Sequence, residues 1–188
     1  MPPRRLLLLL GLLALLPAAN AGAASPDWRG TLRQSLDLFG HRNWIVVVDS
    51  AYPLQNAPGI QVVATGADQA EVVRELMTAL RSARHVRPKV YVDAELAFVP
   101  EADAKGIGAY RESLKGILRD QQTPVPHEQL IRGLQEASAG FQVLILKSNL
   151  ALPYTSVFVK LECGYWGDDA EARLRRAMTS TPAKAGGS

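Results

Sequence analysis

Phe39-Gly40-His41-Arg42-Asn43-Trp44-Ile45-Val46-Val47-Val48-Asp49-Ser50-Ala51-Tyr52-Pro53 decides the fold class of this 188-residue chain. Asn43 to Val48 is continuous in apolar character and rich in β-branched side chains. A strand with one wet face alternates; an unbroken apolar run is a strand covered on both faces, which implies layers of helix above and below. Asp49 ends the run, and the Asp49-Ser50-Ala51-Tyr52-Pro53 turn follows it.

Outward from this strand, helix and strand alternate. Upstream, Asp27 to Phe39 places Leu32, Leu36 and Phe39 at helical spacing, and Gly40 is expected to supply the left-handed residue that closes the helix. Downstream, Tyr52-Pro53 and Pro58-Gly59 punctuate a loop before a second strand, Ile60 to Thr65. Ala67 to Ala83 puts Val72, Val73, Leu76 and Leu80 on one helical face, with Asp68 and Glu71 in the first turn. Pro88 opens a strand, Lys89 to Val92; a less regular stretch runs to Pro100, and a helix spans about Ile107 to Arg119. Gln121 to Pro126, with two prolines, reads as a loop, and His127 to Ala137 as a helix entered from Pro126. Phe141 to Lys147 and Val157 to Tyr165 are the closing strands. The pattern predicts an α/β domain: a layered, mostly parallel sheet with helices on both faces.

Three segments divide the chain. Residues 1–24 read as a secretory signal peptide: Arg4 and Arg5, the apolar run Leu6 to Leu16, Pro17, then small residues that place cleavage near Ala21 or Ala23. Eleven helical residues span only about 16 Å at ~1.5 Å each, too short for a membrane anchor. Residues 25–166 form the domain, and 167–188 a short charged helix (Asp168 to Met178) with a tail expected to be flexible. The expected location is periplasmic or secreted, with no stable membrane anchor after cleavage.

Composition excludes several classes. The full chain has 21 Lys+Arg against 18 Asp+Glu, and losing Arg4 and Arg5 leaves the mature protein nearly neutral. Such a domain has no electrostatic footprint for nucleic acid. Cys163 is alone, so no intrachain disulfide forms. His41, His85 and His127 lack metal-ligand spacing, so no metal is expected. Gly106-Ile107-Gly108 lacks the third glycine and leading strand of a nucleotide loop.

Ligands of open α/β sheets sit outside strand ends, which singles out three places. His41 stands at the entrance of the first strand and Asp49 at its exit; an imidazole and a carboxylate could exchange protons with a hydroxyl near neutral pH. Equally, His41 could be a linker residue and Asp49 a turn former. His127 lies in a first helical turn, where the helix dipole favours a neutral imidazole able to donate and accept, or it is an exposed residue beside a capping segment. Lys147-Ser148 through Pro153-Tyr154-Thr155-Ser156 joins the last two strands, either as an ordinary loop or with the Tyr154 phenol placed at a pocket.

In order, Leu38-Phe39-Gly40-His41, Val46-Val47-Val48-Asp49-Ser50-Ala51-Tyr52-Pro53, His127-Glu128-Gln129-Leu130, Val143 to Ser148 and Pro153-Tyr154-Thr155-Ser156-Val157 resemble the D-ribose pyranase and L-fucose mutarotase (RbsD/FucU) family from about Asp27 to Trp166. The resemblance implies an α/β sugar-mutarotase fold, ring-shaped homo-oligomers, a monosaccharide pocket at a subunit interface and no cofactor. By position it implies His41 as the acid/base residue, with Asp49, His127, Tyr154 and Ser156 holding the sugar while its cyclic forms interconvert. The alternative is a non-catalytic carbohydrate-binding or assembly protein on the same fold. It is suggested by Ser156 where the family has Asn and Leu150 where it has an acid.

Overall fold

The computed structural model describes residues 27–180. The segment expected to be a signal peptide and the small-residue tail lie outside the described residues, while the charged helix lies within them. Among the described residues five helices and six strands alternate, one strand more than the patterning predicts. They are α1 (Trp28–Leu38), β1 (Trp44–Val48), β2 (Ile60–Ala64), α2 (Gln69–Ser82), β3 (Val86–Asp93), α3 (Ile107–Leu118), β4 (Gln122–Val125), α4 (His127–Ser138), β5 (Val143–Lys147), β6 (Val157–Cys163) and α5 (Asp168–Ser180). A short 3₁₀ turn, Ala94–Phe98, follows β3. Among the described residues no helix is long and apolar enough to cross a membrane.

The strands form one sheet in the order β2-β5-β1-β6-β3-β4. β1 lies parallel to β5, β5 to β2 and β3 to β4, while β6 runs antiparallel to both its neighbours, β1 and β3. The sheet is thus mostly parallel with one reversed strand in its middle. That reversal matters for function: the start of β6 lies at the edge where β1, β3, β4 and β5 end.

Side-chain alternation splits the core into two layers. Ile45, Val47, Leu144, Leu146, Val157 and Val159 pack under α1, α2 and α3. Trp44, Val46, Val48, Ile145 and Phe158 face the other way, onto Leu130 and Leu134 of α4. Helices therefore cover both faces, and all five β1 residues are buried, which is why that run does not alternate. Asp27 caps α1 by accepting from the Gly30 N–H at 2.8 Å, and Asp68 caps α2 through the Ala70 and Glu71 N–H groups. Gly59 sits where backbones cross: a Cβ there would lie 2.3 Å from the Ser138 carbonyl oxygen.

Three local expectations are corrected. Gln122–Val125 is an edge strand paired with β3, not part of a loop; Pro124 fits because an edge strand has one unpaired side. β3 begins at Val86, before Pro88, whose side away from β6 has no β4 partner because that pairing starts at Val90. Gly40 is not left-handed; α1 closes on an extended Phe39, and the positive φ falls on Arg42 at 78°.

Candidate functional site

The ends of β1, β3, β4 and β5 and the start of β6 form one polar edge. Its centre is Asp93, the last residue of β3. Along β3, Val90 and Val92 point into the three-helix layer, so Tyr91 and Asp93 point to the α4 side, where Tyr91 stacks on Trp44. α4 starts directly after β4 and brings its first residue over this carboxylate. His127 Nδ1 lies 2.9 Å from Asp93 Oδ1.

Asp93 is only 1% exposed, and its second oxygen, Oδ2, has no hydrogen-bond partner. Burial raises the Asp93 carboxyl above the usual range, and Glu95 nearby adds to the rise; the His127 contact and the Ser156 backbone amide oppose it. Glu95, in the 3₁₀ turn, accepts from the His127 backbone N–H at 3.1 Å through both oxygens. It supplies the acidic cap that Pro126, at the N-cap, cannot give.

Tyr154 meets the His127 ring edge-on, centroids 5.7 Å apart at 86°. Its φ of 56° is left-handed, a costly conformation for a bulky residue, and the residue stays 42% exposed. Ser156 is buried next to β3, one position before Val157 pairs with both Val47 and Val92. Tyr52 is buried against Val48 and Phe158; burial pushes its phenol up to about 12, while Gln55 donates to its hydroxyl at 2.7 Å. Asp93 and Asp49 both add to that rise. Lys147, at the end of β5, donates to the Tyr52 carbonyl at 2.6 Å.

The sequence-predicted residues divide in two. Asp49, His127, Tyr154 and Ser156 come together at this edge. Asp49 also closes its own turn by accepting from the Ala51 N–H at 2.8 Å. His41 does not join them within one chain. β1 separates it from Asp49, about 16 Å of strand at ~3.3 Å per residue. His41 sits on the opposite edge in a cleft with Arg42, Arg87, Lys160, Glu162 and Trp166. The turn that holds it is fixed by Arg42 N–H donating to the Leu161 carbonyl at 2.8 Å and by Asn43 Oδ1 accepting from Gly40 N–H at 2.9 Å.

Asp93 and Glu95 escape the sequence reading. Asp93 ends an apolar strand as Asp49 does, so the same rule applied to β3 finds it once the strand is extended by one residue. Glu95 caps a helix 32 residues further on, a pairing no local pattern signals. Among the described residues no group of three His, Cys, Asp or Glu side chains is disposed to hold a metal ion.

No family model matches the chain, and no curated relative does. Solved structures to which it is similar include Bacillus subtilis RbsD complexed with D-ribose: 16% identity, TM-score 0.48, 70% of this chain and 91% of that one. The fucose mutarotase of Streptococcus pneumoniae in complex with L-fucose has 18% identity and a TM-score of 0.45, covering 73% and 92%. FucU from Bifidobacterium longum has 15% identity and a TM-score of 0.49, covering 71% and 92%.

Proposed function

We propose that this protein is a sugar mutarotase or pyranase, interconverting cyclic forms of a monosaccharide by acid/base ring opening, as an exported homo-oligomer. The observation that carries the reading is the His127–Asp93 pair at the mouth of the polar edge. An ionised Asp93 requires the proton on Nδ1, which leaves the Nε2 lone pair to take the proton of the anomeric hydroxyl. As that O–H electron pair becomes the carbonyl, the bond from the anomeric carbon to the ring oxygen breaks, and the ring oxygen takes up a proton. Reclosure on the other face, or through another hydroxyl, reverses each transfer. Asp49, Tyr154 and Ser156 hold the remaining hydroxyls.

The reaction needs a second proton carrier. His41 fills that role from a neighbouring copy, since its own copy holds it at the far edge. The exposed apolar side chains support such a contact: Leu38 (85% exposed) precedes the His41 turn, while Leu54 (81%) and Phe98 (83%) follow the strand ends at the site. Joining these two edges is a head-to-tail contact, the kind that closes into a ring when the rotation permits.

Replacing His127 by Ala tests the reading. Exchange between sugar forms, measured by saturation-transfer NMR, is expected to slow by about 10²- to 10⁴-fold, the usual contribution of general acid–base catalysis. An unchanged rate would remove His127 from the chemistry. A non-catalytic carbohydrate-binding protein is the second reading, favoured by the absence of His41 from the site of a single chain. Sugar binding without accelerated exchange would select it.

A further inference from the structure

Behind the sheet, on the side away from His127, lies a closed polar cluster that the reaction itself does not use. Gln69, at the start of α2, is fully buried, and Tyr110 of α3, Ser148 and Thr155 are nearly so. The Gln69 amide donates to the Thr155 carbonyl and to the Tyr110 hydroxyl, the latter at 3.0 Å. Tyr110 in turn donates to the same Thr155 carbonyl at 2.7 Å. Ser148 donates to Gln69 Oε1 at 2.8 Å, and its hydroxyl accepts from the Leu150 N–H at 3.2 Å. The Thr155 carbonyl thus accepts from two side chains, and the Gln69 amide, the Tyr110 hydroxyl and that carbonyl close one triangle of contacts. A network satisfied in this way is rigid.

The Thr155 carbonyl and the Ser156 N–H belong to one peptide plane. That peptide is trans, so the two groups point in opposite directions. A carbonyl held from the three-helix side aims the amide at the other side, where the Ser156 N–H faces Asp93. Tyr154, the residue just before, is in the left-handed region, which persists only where the surroundings enforce it.

We propose that Gln69 and Tyr110 are positioning residues, which clamp the Thr155–Ser156 peptide from behind the sheet so that its amide meets Asp93 and Tyr154 meets His127. Neither touches the sugar. Their effect on turnover rests on the mutarotase reading; their effect on Asp93 does not.

The test uses Gln69→Leu and Tyr110→Phe in the full protein, with ¹³C-labelled Asp to follow the Asp93 carboxyl carbon across pH. The groups that face Asp93 are His127 on α4, Glu95 on the 3₁₀ turn and Tyr52 in the loop after β1; Asp49 and Tyr110 are its more distant neighbours. None of the facing groups is altered. Freeing the peptide takes an amide donor from the carboxylate, so the Asp93 midpoint is expected to rise in Gln69→Leu, by about one pH unit. Each variant leaves one of the two bonds to the Thr155 carbonyl; Tyr110→Phe keeps the Gln69–Ser148 link as well and is expected to shift the midpoint less in the same direction. Sugar exchange is expected to fall about tenfold in Gln69→Leu. Folded variants with the wild-type Asp93 midpoint would overturn the clamp. If Gln69→Leu does not fold, Tyr110→Phe decides. If the wild type shows no sugar exchange, the reaction falls and the titration still judges the clamp.

Discussion

Asp93→Asn separates the two consequences of burying a carboxylate under a histidine. Asn has nearly the same shape and can still accept from Nδ1, so the core around Val92 and Phe158 is undisturbed. In the wild type the folded-state pKa of Asp93 is raised, with burial the largest cause. Between the unfolded value of ~3.9 and that raised value, the native state holds a proton which the unfolded state has lost. Stability contributed by this group is therefore present below the window and falls as pH rises through it. At its steepest, one proton gives about 1.36 kcal/mol per pH unit. Asp93→Asn is expected to flatten this segment of the stability curve, measured by denaturant unfolding across pH at fixed protein concentration. Above the window it removes a buried charge and also the anion that orients His127. The charge-assisted bond contributes roughly 1.5–3 kcal/mol, so the buried charge and its best bond nearly offset, and stability near neutral pH changes little. Exchange of sugar forms falls at least about tenfold, because the side-chain amide of Asn can also face Nδ1 and impose the wrong tautomer. A variant that kept both the wild-type pH slope and the wild-type rate would refute the reasoning.

Two further outcomes follow from the geometry. If one copy supplies His127 and its neighbour His41, mixing inactive His41→Ala and His127→Ala proteins under subunit exchange restores part of the activity, since some interfaces regain both residues; no recovery would place each site within one chain. Tyr154→Gly relieves a left-handed conformation that costs roughly 1–2 kcal/mol but adds backbone entropy of roughly 0.5–1 kcal/mol, so thermal stability is expected to stay nearly constant while sugar affinity, read by titration calorimetry, falls.

Much of the fold was legible because its signals are local. The uninterrupted Trp44–Val48 run demanded cover on both faces, and the α2 stripe of Val72, Val73, Leu76 and Leu80 named the helix that provides part of it. The reversed direction of β6 was legible in principle: only residues 148–156 join it to β5, without a helix, too short for a parallel crossover of a dozen or more residues. β4 was hidden because Pro124 argues against any strand until its edge position is known. At the site, His127 and Tyr154 announced themselves by residue type beside a proline. Asp93 did not, since its importance comes from the α4 start lying over it, a contact across 34 residues. The separation of His41 from Asp49 follows from strand length alone: residues flanking a five-residue strand lie on opposite edges.

The reading of this protein as a mutarotase turns on whether it speeds exchange in solution. Saturation-transfer or exchange NMR on D-ribose and L-fucose, with the wild-type protein added in trace amounts, measures this without any coupled enzyme. Line broadening and magnetisation transfer between cyclic forms that increase in proportion to protein concentration, and vanish with His127→Ala, are the expected result. Sugar signals that shift on binding while exchange stays at its spontaneous rate would contradict catalysis and leave a carbohydrate-binding protein in its place.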